Sequence, residues 1–202
     1  KIQIHTSSLG LPDIELTDIA IIGISETRNS YFESTDFNLS NFRKEFYELN
    51  LGKWEKSISD LGNLPNGEST QDTYYAITDI CLFLREKNII TIIIGGSNDI
   101  IFPIFKSYNN FNRNVNIVSI DNQFDLHQEE DLLSSRSYMN KIIIDDSSKL
   151  NDFTNLGYQR HLCSPSEIDL MDKLFFDYIS LGDLIGDHKR AEPILRDAHI
   201  IG

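Results

Sequence analysis

One stretch of the sequence, residues 89–126, constrains the fold most, because it contains two apolar runs that each end in polar residues. The first run, 89–94, is followed by GGSND at 95–99, and the second, 115–120, is followed by DNQFD at 121–125. The residues between them suffice for a helix and a loop, so the pattern predicts a strand–helix–strand unit of a parallel sheet. Parallel sheets bind ligands beyond the carboxyl ends of their strands, so we expect two adjacent, polar strand ends to form a site.

Length and charge restrict the class of protein. The chain has 202 residues, of which 40% are hydrophobic, and no linker divides it, so we predict a single domain over residues 1–202. The net charge of −13 argues against nucleic acid or an anionic membrane as partner. Two cysteines are too few for a disulfide framework, and no apolar run approaches the roughly 20 residues of a membrane helix. We therefore expect a soluble cytoplasmic protein.

Strand and helix patterns alternate along the chain, which predicts an α/β fold with a mostly parallel sheet. The N-terminal residues 1–16, with Gly10 and Pro12, are predicted to be an arm or loop. The predicted strands cover residues 18–24, 57–61, 89–94, 115–120, 153–159, 174–181 and 198–201. Two helices are predicted to begin at Ser40 and Ser164, which act as their caps. Two further helices are predicted over residues 69–86 and 192–197.

Several separated blocks of the sequence resemble the ureohydrolase family, which includes arginase, agmatinase and formimidoylglutamase. Residues 95–99 are similar to the family's Gly-Gly-Asp-His-Ser, and residues 121–125 to its Asp-Ala-His-x-Asp. Blocks at 22–28, 157–160 and 192–198 also agree in order, with formimidoylglutamase-like proteins the most similar. The resemblance implies a three-layer αβα arginase-like fold whose C-terminal part is missing from this chain.

The resemblance also implies a reaction, the hydrolysis of a C–N bond in a linear amidine or guanidine by a hydroxide that bridges two manganese ions. The family's histidine positions are occupied here by Asn98 and Gln123, while Asp121 and Asp125 keep two residual metal-ligand positions. Amide oxygens are weaker ligands for manganese than imidazole. The two amides together indicate that the metal site is lost or greatly altered. The candidate partners are a small amidine- or guanidine-type ligand and a second copy of the chain.

Three functional hypotheses follow. The first is a pseudoenzyme of the arginase family that binds, regulates or builds oligomers. The second is an active amidine hydrolase that is completed by residues beyond 202 or uses an altered metal site. The third is an unrelated α/β protein that binds an anion at Gly95-Gly96. The family's last metal motif, Asp-x-Asp, would lie beyond Gly202, so we expect a fragment that is inactive by itself.

Individual residues also have two interpretations. Asp121 and Asp125 are either residual metal ligands or inherited acids that now bond to amides, and we favour the second interpretation. His127 could replace a lost ligand, although an exposed role is favoured. Glu26 and Arg28 could contact a substrate or pair with each other, and the sequence does not decide between these alternatives.

Three further patterns carry less weight. A nucleophilic pair of Cys163 and His161 is discounted because no third group accompanies it. The Asp-Ala-His sequence at 197–199 is treated as coincidence, and Cys81 is expected to pack as a small hydrophobic residue. Residues 138–144 have strand propensity, but the resemblance implies a helix at this point, and we predict the helix.

Overall fold

The computed structural model describes residues 2–6, 8, 10–31, 38–50, 52–109, 111, 114–128 and 133–201, with the backbone alone for 198–201. The chain divides into two compact units, Lys1–Ser107 and Tyr108–Gly202. The single domain over residues 1–202 therefore stays a prediction.

The first unit contains a four-stranded parallel sheet with the spatial order β1-β3-β2-β4. Its strands are β1 (Ile2–Ile4), β2 (Ile19–Ile24), β3 (Ile58–Leu64) and β4 (Ile90–Ile94). Its helices are α1 (Leu39–Tyr47), α2 (Thr70–Glu86) and α3 (Ile101–Lys106), with short 3-10 turns at Ile14–Leu16 and Asn98–Ile100.

The second unit contains a three-stranded parallel sheet with the order β5-β6-β7. Its strands are β5 (Val115–Ile120), β6 (Leu150–Tyr158) and β7 (Asp177–Ser180). Its helices are α4 (Tyr138–Ile144), α5 (Pro165–Leu174), α6 (Leu181–Gly186) and α7 (Ala191–Ile201), with a 3-10 turn at His188–Arg190. The parallel pairing in both units confirms the predicted α/β class.

The core of the first unit is built around β2, whose six residues are all buried. Their near-continuous apolar sequence is typical of a strand covered on both faces. One face packs against Phe42 and Phe46 of α1. The apolar residues of α2 are spaced three or four apart, and Ile77, Cys81 and Leu84 are buried, so the packing role predicted for Cys81 is confirmed.

Helix starts were predictable where a capping box is present. Ser69 and Ser164 each accept a hydrogen bond from the backbone three residues later, and Asp72 and Glu167 complete the boxes. The prediction that Ser40 caps α1 is wrong. Asn38 is the cap, and its side chain accepts from the Ser40 N–H, because the backbone is still extended at Asn38 and already helical at 40.

Two boundaries depend on strand pairing and were predicted wrongly. Residues 2–4 form β1 rather than an arm, because they find a parallel partner in β3, with Ile2 opposite Ile58. β3 continues past the predicted end at 61 as far as Leu64, where it pairs with the end of β2. A strand as short as β1 has no local signal that distinguishes it from a loop.

The secondary structure of two apolar segments was predicted correctly in one case and wrongly in the other. Residues 138–144 form α4, which confirms the helix against local strand propensity. Residues 198–201, predicted as a strand, form the last turn of α7. Ile194, Ala198 and Ile201 have helical spacing, and β-branched residues form a strand only where a partner strand is available. The strand predicted over 174–181 is likewise shortened to β7, because α5 continues to Leu174.

The strands β4 and β5 were predicted to be neighbours, and this prediction is wrong. β4 pairs with β2, β5 pairs with β6, and no pairing among the described residues joins the two. Successive parallel strands are often but not always adjacent in a sheet. The polar segments that follow them are therefore described as two separate loops.

Candidate functional site

The loop after β4 begins with Gly95 and Gly96, which both have positive φ angles, of 92° and 77°. A Cβ atom on Gly96 would come within 2.7 Å of the Ile100 side chain, so the glycines make a tight turn possible. Asn98, which occupies a histidine position of the resemblance, is exposed at the start of the following 3-10 turn.

Asp99 is fully buried at the end of the same loop. Its carboxyl group accepts hydrogen bonds from the Tyr74 hydroxyl, at 2.5 Å, and from the Ser97 hydroxyl. Burial raises the pKa of Asp99, and the two hydroxyl donors oppose part of that rise. Asn29, from the loop after β2, donates to the Tyr74 oxygen at 2.8 Å. Asp99 thus joins the β4 loop to α2 and, through Tyr74, to the β2 loop.

Glu26 and Arg28, from the loop after β2, pair with each other. The Glu26 carboxylate is fully buried and accepts from Arg28 Nε at 3.0 Å and from the Arg28 terminal nitrogen at 2.5 Å. Thr73 of α2 donates to the same carboxylate at 2.9 Å. Hydrogen bonds from the Arg28 side chain lower the pKa of Glu26 to about 2, although burial opposes this.

The rest of the Arg28 guanidinium also bonds to protein atoms. Its terminal nitrogens donate to the backbone carbonyls of Gly67 and Glu68, at 3.2 and 2.9 Å. The Ser97 N–H donates to the Glu26 carbonyl at 3.0 Å, which ties the β2 and β4 loops together. Of the two alternatives for Glu26 and Arg28, the structure shows that they pair with each other, and contact with a substrate stays a prediction.

The loop after β5, residues 121–125, is held mainly through its backbone. Asp121 Oδ1 accepts from the Asn122 N–H at 2.6 Å, and the Asn122 carbonyl accepts from the Gln159 N–H at 2.9 Å. The side chain of the fully buried Asn155, on β6, donates to the Gln123 carbonyl at 2.8 Å. The loop therefore has a defined position relative to β6.

A buried aromatic ring provides the second anchor of this loop. Phe124 is fully buried, with its ring centroid 5.0 Å from Tyr158 and 5.4 Å from Tyr178. Asp125 is also buried and has a φ angle of 54°. An extended backbone would place the side chains of Asp121, Gln123 and Asp125 on one side, but the positive φ angle at Asp125 shows that the backbone is not extended through residue 125.

The other candidate residues of the second unit have structural partners. The His127 ring lies 2.8 Å from the Arg136 guanidinium and 4.0 Å from the Glu167 carboxylate. Cys163 is buried, and burial raises the pKa of its thiol to about 11, which disfavours the nucleophilic thiolate. Residues 197–199 lie in α7, and the side chains of 198 and 199 are outside the described residues.

These residues can be tested for their fit to manganese. In the described part of the chain, no three His, Cys, Asp or Glu side chains gather into a group that could hold a metal ion. The positions that the resemblance assigns to imidazole contain the amides of Asn98 and Gln123. Two carboxylates with neutral amides are a poor donor set for manganese, so the residues present do not fit a two-ion site.

Among the described helices, none has the length and apolar character to cross a membrane.

Sequence reasoning missed the residues that position these loops. Tyr74 lies among the buried residues of α2, and no local pattern indicates that its hydroxyl reaches Asp99. Asn155 lies in the middle of the buried stretch 153–157 of β6, where an amide side chain requires a hydrogen-bond partner.

Comparisons with known proteins agree with this fold. The model of the Arginase family matches residues 17–198. A formiminoglutamase from Trypanosoma cruzi, crystallised with Mn²⁺, superposes with a TM-score of 0.79 at 16% identity, covering 94% of this chain and 68% of its own. A formimidoylglutamase from Bacillus subtilis gives 0.81 at 14% identity, with 98% and 64% covered. A hypothetical agmatinase from Burkholderia thailandensis gives 0.75 at 15% identity, with 95% and 62% covered.

These structural matches establish an arginase-like fold, and the present chain spans about two thirds of the length of those proteins. A comparison with curated protein sequences gave no match.

Proposed function

The chain belongs to the arginase family, and we propose that it is a formimidoylglutamase- or agmatinase-like member whose manganese catalysis is lost or strongly weakened. Such a pseudoenzyme keeps the family frame and acts by binding, by regulation or by building an oligomer. Its proposed ligand is a small amidine or guanidine, and its proposed location is the cytoplasm. The net charge of −13 favours a cationic ligand of this kind over an anionic one.

The donor set carries this proposal. Of the four family positions in the two loops, Asn98 and Gln123 offer amide oxygens, and only Asp121 and Asp125 offer carboxylates. In the loop after β2, the buried carboxylate of Glu26 already bonds to Arg28. A reaction that depends on two paired cations requires more charged ligands than these residues supply.

Metal analysis of the purified full-length protein tests the proposal. We expect well below one manganese ion per chain after incubation with excess Mn²⁺ and removal of unbound metal. We also expect no turnover of formimidoylglutamate, agmatine or arginine. About two ions per chain would contradict the proposal, and so would turnover that requires added manganese.

A pair of variants at one position sharpens this test. Gln123→His places an imidazole between Asp121 and Asp125, and we expect manganese affinity to rise about tenfold or more. Gln123→Asn keeps an amide and serves as the matched control, with no expected change. Equal affinity of the two variants would show that the side chain at this position does not limit metal binding.

A second candidate function, an active amidine hydrolase, has support of its own. Asp121 and Asp125 remain at their positions. The Trypanosoma cruzi formiminoglutamase was crystallised with Mn²⁺ both as the parent protein and as an asparagine-to-histidine variant, so the parent has an asparagine at that position. A protein of this fold thus binds manganese, which supports the second candidate. Manganese-dependent turnover in the assay above would favour this candidate.

A further inference from the structure

Two carboxylates and a threonine hydroxyl lie on one face of the sheet in the second unit, near the amino ends of β6 and β7. Thr154 of β6 is the register partner of Asp177, the first residue of β7. Asp152 lies two residues before Thr154 on β6. Register partners project from the same face of a sheet, and so do residues two apart in a strand. The three side chains therefore share one face, at backbone spacings of about 5 Å between the strands and about 7 Å along β6.

The hydroxyl of Thr154 is the unusual member of this group. Thr154 is fully buried, and its side-chain oxygen has no hydrogen-bond partner among the residues that the structure describes. Buried hydroxyls normally have a partner, because a polar group that loses its water without replacement destabilises the fold. This oxygen lies on the same face as both carboxylates and is available as a ligand.

The two carboxylates repel each other. Asp177 is exposed and Asp152 is half-buried, and neither forms an ion pair within the described part of the chain. Burial and the negative charge of Asp177 raise the pKa of Asp152, although the Phe153 N–H opposes part of that rise. Two carboxylates in this arrangement favour a cation beside them.

The chemistry of these ligands indicates the class of cation. Carboxylate and hydroxyl oxygens are hard ligands, and Mg²⁺ is typically held by one or two carboxylates while it keeps several waters. The exposed side of Asp177 leaves room for such waters. Asn116 of β5, the register partner of Asp152, adds an amide group to the same face. Two carboxylates are also consistent with the finding that no three His, Cys, Asp or Glu side chains gather in the described residues.

We propose that Asp152, Asp177 and the Thr154 hydroxyl form a site for a hard divalent cation of the Mg²⁺ type. The cation neutralises the two carboxylates, gives the buried hydroxyl oxygen a partner and links β6 to β7 at their amino ends. Because cation affinity follows the number of charged ligands, two carboxylates give a weak site, with a dissociation constant on the order of 1 mM.

Thermal unfolding of the full-length protein in MgCl₂ tests the site, with NaCl of equal ionic strength as the reference. We expect 10 mM Mg²⁺ to raise the melting temperature by about 3 °C or more, with half of the effect near 1 mM. Asp177→Asn should abolish this rise. Asp169→Asn removes an exposed carboxylate from α5 and is the matched control, with the rise unchanged. An equal rise in both variants would overturn the proposal, and so would no rise in the unsubstituted protein.

A substitution of Thr154 separates a ligand from a structural hydroxyl. Without Mg²⁺ we expect Thr154→Val to melt at the same temperature as the unsubstituted protein or higher, because the lost hydroxyl has no partner among the described residues. With Mg²⁺ we expect binding to be at least about threefold weaker. A lower melting temperature together with an unchanged response to Mg²⁺ would show that the hydroxyl bonds to protein atoms, and would contradict its place in the site.

Amide chemical shifts locate the ion within the chain. We expect Mg²⁺ to shift the signals of residues 152–154 and 177 most. The largest shifts at residues 121–125 would place the ion in the loop after β5 and overturn the proposal. The outcome is independent of the manganese analysis, because a site of millimolar affinity loses its ion when unbound metal is removed.

Discussion

The loops after β4 and β5 have similarly polar sequences, but they are held in place by different physical means. The β4 loop is tied by buried polar groups, chiefly Asp99 with Tyr74 and the Glu26 carbonyl with Ser97. The β5 loop is anchored by the buried ring of Phe124, with backbone hydrogen bonds to β6 and the turn after it. In both loops most of the described interactions are directed into the protein, so polar residues at strand ends need not mark a catalytic centre.

The two modes of anchoring respond differently to mutation and to pH. A buried carboxylate such as Glu26 depends on its charge and on a correctly placed partner. A buried aromatic ring depends on shape and apolar contact, which protonation does not change. Four predictions test this difference, beginning with the largest expected effect.

Removal of the Phe124 ring should have the largest effect on stability. We expect Phe124→Ala to lower the free energy of unfolding by about 4 kcal/mol, because a large cavity forms beside Tyr158 and Tyr178. Urea denaturation followed by circular dichroism measures the loss. Phe175→Ala, at a residue 91% exposed, is the matched control, with an expected change within about 0.5 kcal/mol. A loss below about 1 kcal/mol at Phe124 would show that the ring does not anchor the loop.

Loss of the charge on Glu26 should have the next largest effect. We expect Glu26→Gln to lower the free energy of unfolding by about 2 kcal/mol, because Arg28 loses its buried partner but is itself 39% exposed and remains partly solvated. Glu15→Gln removes a carboxylate from an exposed pair with Lys87 and serves as control, with an expected change of about 0.5 kcal/mol. Equal effects of the two variants would place the Glu26 pair among ordinary surface ion pairs.

Acid should weaken the Glu26 network and not the Phe124 anchor. The pKa of Glu26 is lowered from 4.5 to about 2, so its contribution is present above about pH 4.5 and is lost as the pH falls toward 2. We expect the urea midpoint of the unsubstituted protein to fall more steeply over this range than that of Glu26→Gln. Phe124→Ala should follow the unsubstituted profile. Parallel profiles for all three proteins would contradict this assignment.

Asp99 should be the least sensitive of the buried groups. Burial raises the pKa of Asp99 and the two hydroxyl donors oppose part of that rise, so we expect the charge of Asp99 to contribute less to stability than that of Glu26. We expect Asp99→Asn to lower the free energy of unfolding by about 1 kcal/mol. The amide nitrogen is a donor, and it would replace an oxygen that accepts from the Tyr74 or the Ser97 hydroxyl. Urea denaturation at pH 7 measures it. A loss as large as that of Glu26→Gln would show that Asp99 acts as a buried ion.

Much of the fold was predictable because its signals are local. The apolar run of β2, the capping boxes at Ser69 and Ser164 and the spacing along α2 each depend on neighbouring residues. The family motifs at 95–99 and 121–125 are also short, so the resemblance pointed to the arginase family that the match to residues 17–198 establishes. Substitutions at single positions, Asn98 and Gln123, were visible for the same reason.

Features that join distant residues were not predictable in this way. The pairing of β1 with β3, the separation of β4 from β5 and the helical end of α7 depend on which partner is available. The same applies to the contact between Tyr74 and Asp99 and to the bond from Asn155 to Gln123. A side chain has many candidate partners in a sequence, and only the folded backbone selects one.

The sequence by itself determined the α/β class, the family frame and the two amides at the positions that the resemblance assigns to histidine, because these are properties of short segments. Only the tertiary structure decided that Glu26 pairs with Arg28, that Asp99 is buried against Tyr74 and that Phe124 anchors the β5 loop. The physical reason is that burial and hydrogen bonding are set by contacts between segments, and these contacts exist only once the strands have paired.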